Sequence, residues 1–220
     1  MSNPVPNVIS NFEILFAPQL PAGFPPQVEN IVETVVKGYF LTITNQNASA
    51  YTFMVGFHCN TNPSPPPAVR TLSSAVAFLD DAVTGVAQLI SAGPNPTDFY
   101  TEVKIAPYGT VLVGVLPAFF NAANGTFVTP NIEVRGWVDI TLPALRRKFL
   151  LGTQAQSASP VSVIVTAEQR LTFLPMTGEG SGVVESQSAF ALPLATGASQ
   201  FMVPPQPSTG PIFTGTLEAL

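Results

Sequence analysis

Between Asn131 and Leu142 the apolar side chains Ile132, Val134, Val138, Ile140 and Leu142 alternate with Glu133, Arg135, Trp137, Asp139 and Thr141. Alternation sustained over that length marks a strand with one buried and one wet face. A strand so long needs neighbours on both edges to satisfy its backbone, so the pattern predicts the centre of a sheet. The same rhythm recurs along the chain. Tyr39, Leu41 and Ile43 alternate with Phe40, Thr42 and Thr44, and Tyr51, Phe53, Val55, Phe57 and Cys59 share the face of a second strand. Phe99, Thr101, Val103 and Ile105 alternate with Tyr100, Glu102 and Lys104, Thr110 to Leu116 is mostly apolar, and Val161, Val163 and Val165 alternate with Ser162, Ile164 and Thr166.

Turn residues suggest how these strands connect. The polar cluster Asn45 to Ala50 predicts a hairpin between 35–44 and 51–60. Ala106-Pro107-Tyr108-Gly109, with proline second and glycine fourth, predicts a type I turn closing a second hairpin. Asn124-Gly125 predicts a small hairpin before the long strand. An apparent change of apolar parity at Glu168 and Gln169 predicts a bulge. In Val69 to Ile90, helix-like spacing of Leu72, Val76, Leu79, Val83, Val86 and Ile90 competes with strand-like alternation at Val76 and Phe78 around Asp80 and Asp81; two short strands are the preferred reading.

Prolines set the two ends apart. Residues 1–27 hold Pro4, Pro6, Pro18, Pro21, Pro25 and Pro26, a density that opposes helix and denies donors to a central strand. Yet Val8, Ile9, Phe12, Ile14, Leu15, Phe16 and Phe24 make the segment too apolar for a disordered tail. Residues 176–220 mirror it, with Gly178, Gly180 and Gly182 leading to Phe190, Phe201 and Phe213 among further prolines. The expected organisation is an extended arm at 1–27, an all-β domain at 28–175, and a Gly/Pro-rich linker with an apolar arm at 176–220. The expected fold is an antiparallel β-sandwich of about eight or nine strands, Ig-like or jelly-roll.

Composition changes the picture in one respect. Charged residues are 10% of the 220-residue chain, against roughly 25% in ordinary soluble domains. Small neutral polar groups replace them, and such a surface is cheap to desolvate because no ions leave water when it is covered. Burial in an assembly is therefore tolerated. Apolar ends add to this: Phe12, Phe16, Phe24, Phe190, Phe201 and Phe213 are expected at an interface with further copies, giving a non-enzymatic homo-oligomer, shell or filament.

The net charge of −5 disfavours non-specific nucleic-acid binding, and Arg146-Arg147-Lys148 reads as a solvated connection. The single cysteine, Cys59, excludes an internal disulfide and a cysteine-based zinc site. The N-terminal residues lack the basic start and compact apolar run of a secretory signal. Val111 to Phe120 is cut by Pro117 before it could span a membrane, so no membrane insertion is expected and no compartment is assigned.

Candidate chemistry is sparse. His58 and Cys59 are strand neighbours pointing to opposite faces, so they cannot share a metal or act together; Cys59 reads as buried and inert, and His58 as a sheet-face residue. Asp80 with Asp81, Asp98 with Glu102, and Glu133 with Asp139 could support carboxylate chemistry, but no motif fixes a pair. Trp137, the only tryptophan, shares its face with Arg135 and Asp139. That trio is the candidate ligand platform of the alternative reading, a carbohydrate-binding module. Asn47-Ala48-Ser49 and Asn124-Gly125-Thr126 match a glycosylation sequon at a frequency chance explains. No phosphate-binding glycine loop is present and no cofactor is expected.

Overall fold

A computed structural model describes residues 7–18, 34–60, 72, 75–80, 86–88, 91–92, 97–118, 120–121, 126–127, 132–146, 152–174 and 186–208. Among the described residues the regular elements are strands: β1 (Asn7–Pro18), β2 (Thr34–Asn45), β3 (Tyr51–Cys59), β4 (Ala75–Asp80), β5 (Val86–Gln88), β6 (Ser91–Ala92), β7 (Asp98–Ile105) and β8 (Thr110–Pro117). They continue as β9 (Phe120–Asn121), β10 (Thr126–Phe127), β11 (Ile132–Thr141), β12 (Leu145–Arg146), β13 (Thr153–Gln154), β14 (Val161–Leu174), β15 (Ser186–Ala191) and β16 (Gln200–Val203). All ladders between them are antiparallel.

Twelve strands form one sheet in the order β5-β4-β8-β2-β1-β11-β3-β7-β6, with β14 on the other edge of β2 and β15 and β16 on β14. The all-β antiparallel class is thus as the alternation predicts, and β11 lies between β1 and β3 as a central strand. Val69 to Ile90 contributes β4 and β5, the strand alternative, and β9 pairs with β10, with Asn124-Gly125 itself outside the described residues.

The arm expected at 1–27 is corrected for Asn7–Pro18, which is the strand joining β11 to β2. The prolines flank this stretch: after Pro6 the next is Pro18, its last residue, so every interior residue keeps its N–H for the ladder. At the other end, β15 and β16 pair with β14 of their own chain, and Pro205 bridges to Leu142. Phe24, Phe213 and Gly178 to Gly182 lie outside the described residues.

Both long hairpins are also corrected. A turn forms at Ala106–Gly109, with Gly109 N–H donating to Ala106 O at 3.0 Å, but Tyr108 at φ 55° makes it type II where type I was expected, and the strands it joins separate: β7 pairs with β3, and β8 with β2 and β4. Likewise β2 and β3 are consecutive but unpaired. The two connections instead bind each other. Asn45 N–H donates to Gly109 O at 2.9 Å, Tyr108 N–H to Asn47 O at 3.2 Å, and the buried Asn45 amide to Ala106 O at 3.0 Å and Ser49 O at 2.8 Å. A polar side chain can be buried there because carbonyls of both corners accept its protons.

Core residues come from strands far apart in the order. Phe12 on β1, Tyr39 on β2 and Phe57 on β3 meet edge to face, with centroids 6.2, 5.7 and 6.0 Å apart. Because β2 and β3 are not neighbours, this contact requires the sheet to curl over the core. Burial pushes the Tyr39 phenol well above its usual range, against a hydrogen bond with Ser10 Oγ at 2.9 Å. The bulge expected at Glu168 and Gln169 is absent, since β14 keeps one register along β2 from Val163 to Leu174. Gln169 is a polar side chain in an inward position, its amide donating to Glu13 O at 2.7 Å and Gly38 O at 2.9 Å, which imitates a parity change in the sequence.

Candidate functional site

Strand register gathers the polar chemistry on the outward face of β11, β3 and β7. Trp137, His58 and Asp98 lie directly opposite one another across the three strands, and Asp139, Gly56 and Tyr100 form the next row. Opposed residues of an antiparallel pair share a face, so all of these side chains converge.

His58 is the centre. Its Nδ1 is hydrogen-bonded to Asp98 Oδ1 at 3.0 Å, and its Nε2 lies 3.2 Å from Asp139 Oδ2. The second approach is close enough for strong attraction but is not aligned as a hydrogen bond, and Nε2 is buried. The ring stacks on Trp137 at 3.8 Å between centroids and 15° between planes, and meets Tyr100 edge-on at 5.9 Å. Gly56 makes room for this: a Cβ there would strike the Asp139 carboxylate and crowd His58 Nε2 and the Tyr100 ring.

Asp139 is only 5% exposed. Burial raises its carboxyl above the ordinary range, with the Asp98 charge adding to the rise, while the attraction of His58 and a hydrogen bond from the Gly56 backbone work the other way. Burial and the charges of Asp98 and Asp139 raise the Tyr100 phenol. Each carboxylate addresses a different ring nitrogen from a different side, so no common point is left where both and the imidazole could coordinate one ion. Among the described residues no group of His, Cys, Asp and Glu converges as a metal site.

Of the residues expected at a ligand platform, Trp137 and Asp139 are brought together and Arg135 is drawn away. Its guanidinium bonds Glu13 Oε1 at 2.7 Å and lies 3.3 Å from Glu133 Oε1. Glu13 also accepts from Lys37 Nζ at 2.6 Å, forming a clamp across β2, β1 and β11. Burial alone would raise the Glu13 carboxyl, but the Lys37 and Arg135 hydrogen bonds and charges outweigh it and hold it below its usual range. The stability this clamp supplies is therefore complete above the ordinary glutamate range and is lost as pH falls through the lowered folded-state value. Glu13→Gln should reduce stability at neutral pH by about 1 kcal/mol, discounted for partial exposure, and flatten the acid limb of a plot of unfolding temperature against pH. An acid limb identical to wild type would refute the clamp.

The residues expected at an interface separate into distinct environments. Phe12 and Phe201 are core, so their expected interface role is corrected; Phe16 is partly buried against the core, and Phe190 is 49% exposed. Cys59 is buried as expected, with burial pushing its thiol up to about 11, which leaves it protonated and unreactive. No local spacing in the sequence pairs Asp98 with Asp139 through His58. The only signal of this pairing is shared outward parity, which acquires meaning once register is known.

No protein-family model, no curated protein and no solved structure matches this chain.

Proposed function

We propose that the protein is a non-enzymatic structural subunit that associates with further copies of itself through one wall of its curled sheet. The observation that carries this is the outward side of β4, β8, β14, β16 and the Phe40 to Thr44 half of β2. Val76, Phe78, Leu112, Leu116, Thr42, Thr44, Ile164, Thr166 and Met202 face outward there. The charged residues among the described outward positions are Asp80, Glu168 and Arg170. Glu168 and Arg170 pair at 3.1 Å, and Arg170 also lies over the Phe40 ring at 4.0 Å.

Ile164 and Met202, diagonal neighbours on β14 and β16, are 37% and 55% exposed. A second copy carrying the same neutral wall covers this one without desolvating an unpaired ion. In this reading the wall packs over β1, β11, β3 and β7 as the two layers of a β-sandwich. The ring contacts among Phe12, Tyr39 and Phe57, and the crossings from β2 to β3 and from β7 to β8, support that layering.

Light scattering on the purified chain should show an oligomer. The double variant Ile164→Lys and Met202→Lys should be monomeric at the same concentration, with its unfolding temperature nearly unchanged because both sites are surface positions. A monodisperse wild-type monomer would refute the proposal. The second reading, a carbohydrate-binding module, is supported by the shared outward patch of Trp137, Tyr100 and Asp98, although His58 already covers one face of the indole. Glycan-array binding abolished by Trp137→Ala would select it instead.

A further inference from the structure

The wall that carries self-association is on β4, β8, β2, β14 and β16, and makes no use of the His58 cluster. Each nitrogen of that imidazole faces a carboxylate on a different neighbouring strand. We infer that Asp98, His58 and Asp139 form a proton-operated clasp across β7, β3 and β11, in which one proton held between His58 Nε2 and the Asp139 carboxylate fastens β3 to β11 and its departure loosens the patch around Trp137.

A carboxylate can only accept, so the 3.0 Å contact with Asp98 is made by the tautomer that carries a hydrogen on Nδ1. The remaining proton can sit on Nε2 and face an ionised Asp139, or sit on Asp139 and be offered to a neutral Nε2. Both arrangements hold the same number of protons, so the proton belongs to the contact and not to either residue alone. Remove that proton and a lone pair on Nε2 faces a buried carboxylate 3.2 Å away, two acceptors with no donor between them. The rise in the Asp139 carboxyl through burial is in keeping with a proton retained there.

The titratable and charged groups around the ring are Asp98 and Tyr100 on β7, with Glu102 beyond, and Asp139 on β11. From β1, Asn11 lies opposite Trp137, and Glu13 is held by Lys37 and Arg135.

The chain contains one tryptophan and one histidine, so indole emission reports this stack alone. The purified full-length chain is titrated from about pH 5 to about pH 9, the range that brackets imidazole titration, following Trp137 emission and unfolding temperature. The expected result for wild type is one step in emission, with the unfolding temperature falling across the same step by roughly 3–6 °C. In Asp139→Asn the amide satisfies Nε2 at every pH, its NH2 donating to the neutral ring and its carbonyl accepting from the protonated one, and the fall in unfolding temperature disappears. In His58→Gln both changes disappear. Flat emission and stability in wild type, or a fall of undiminished size in Asp139→Asn, would overturn the clasp.

Discussion

Phe12→Ala is expected to lower the unfolding free energy by about 3–5 kcal/mol, the usual cost of truncating a buried phenylalanine. Phe12 is 3% exposed, and its ring meets Phe57 at 83° and Tyr39 at 62°. Perpendicular ring pairs add about 0.5–1.5 kcal/mol beyond the area they bury, and here one ring serves two of them. For a chain of this size the unfolding temperature should drop by roughly 10 °C. The effect should be the same in dilute and concentrated protein, because the contacts are made within one chain. A residue docking on a neighbouring copy would instead show a concentration-dependent loss. Phe190→Ala, at a half-exposed ring, should cost well under half as much. A Phe12→Ala variant as stable as wild type in dilute solution would show that β1 is not part of the folded sheet.

That contrast also shows how far the sequence can be read. Alternation identified β11, β3, β7 and the first part of β14, because a half-buried strand writes its two faces directly into neighbouring residues. In β1 the alternation is regular only at Phe12, Ile14 and Phe16, because the register shifts between Val8 and Ser10, and the prolines on either side of its proline-free interior mask so short a signal. Hairpins failed for a different reason. The Ala106–Gly109 turn is a property of four residues, whereas the partners of β7 and β8 are decided by the core, and the curl sends them to β3 and β2. The His58 cluster needs two such non-local registers at once. Asp98 lies 40 residues from His58, and Asp139 comes from β11, so no local spacing announces them. Gln169 shows the converse: a polar residue at an inward position is legible only when the carbonyls of Glu13 and Gly38 that accept from it are known.

Gly136→Val should be the most disruptive single change in β11, costing about 3 kcal/mol or more, at or above the upper end of typical overpacking penalties. Gly136 lies opposite Cys59 and Phe12 on the inward side of β11. A Cβ there would collide with the backbone carbonyl of His58 and approach the Phe12 ring to 2.9 Å. A flexible side chain can move out of the way at small cost, but a carbonyl in the middle of a sheet carries its strand with it. Gly114 provides the comparison, since the nearest atoms a Cβ there would meet all belong to the Phe78 side chain, and Gly114→Ala should be tolerated far better. The displaced group at Gly136 is the backbone of His58 itself, so the strain is transmitted to the outward face. Moving β3 away from β11 pulls the imidazole from its stack on Trp137 and from Asp139. Gly136→Val should therefore change indole emission at neutral pH as well as lowering the unfolding temperature, whereas Phe12→Ala, which removes bulk from the inner side, should lower stability with a smaller change in emission. A Gly136→Val variant that keeps both the wild-type unfolding temperature and wild-type emission would mean that β11 and β3 do not approach as closely as the register requires.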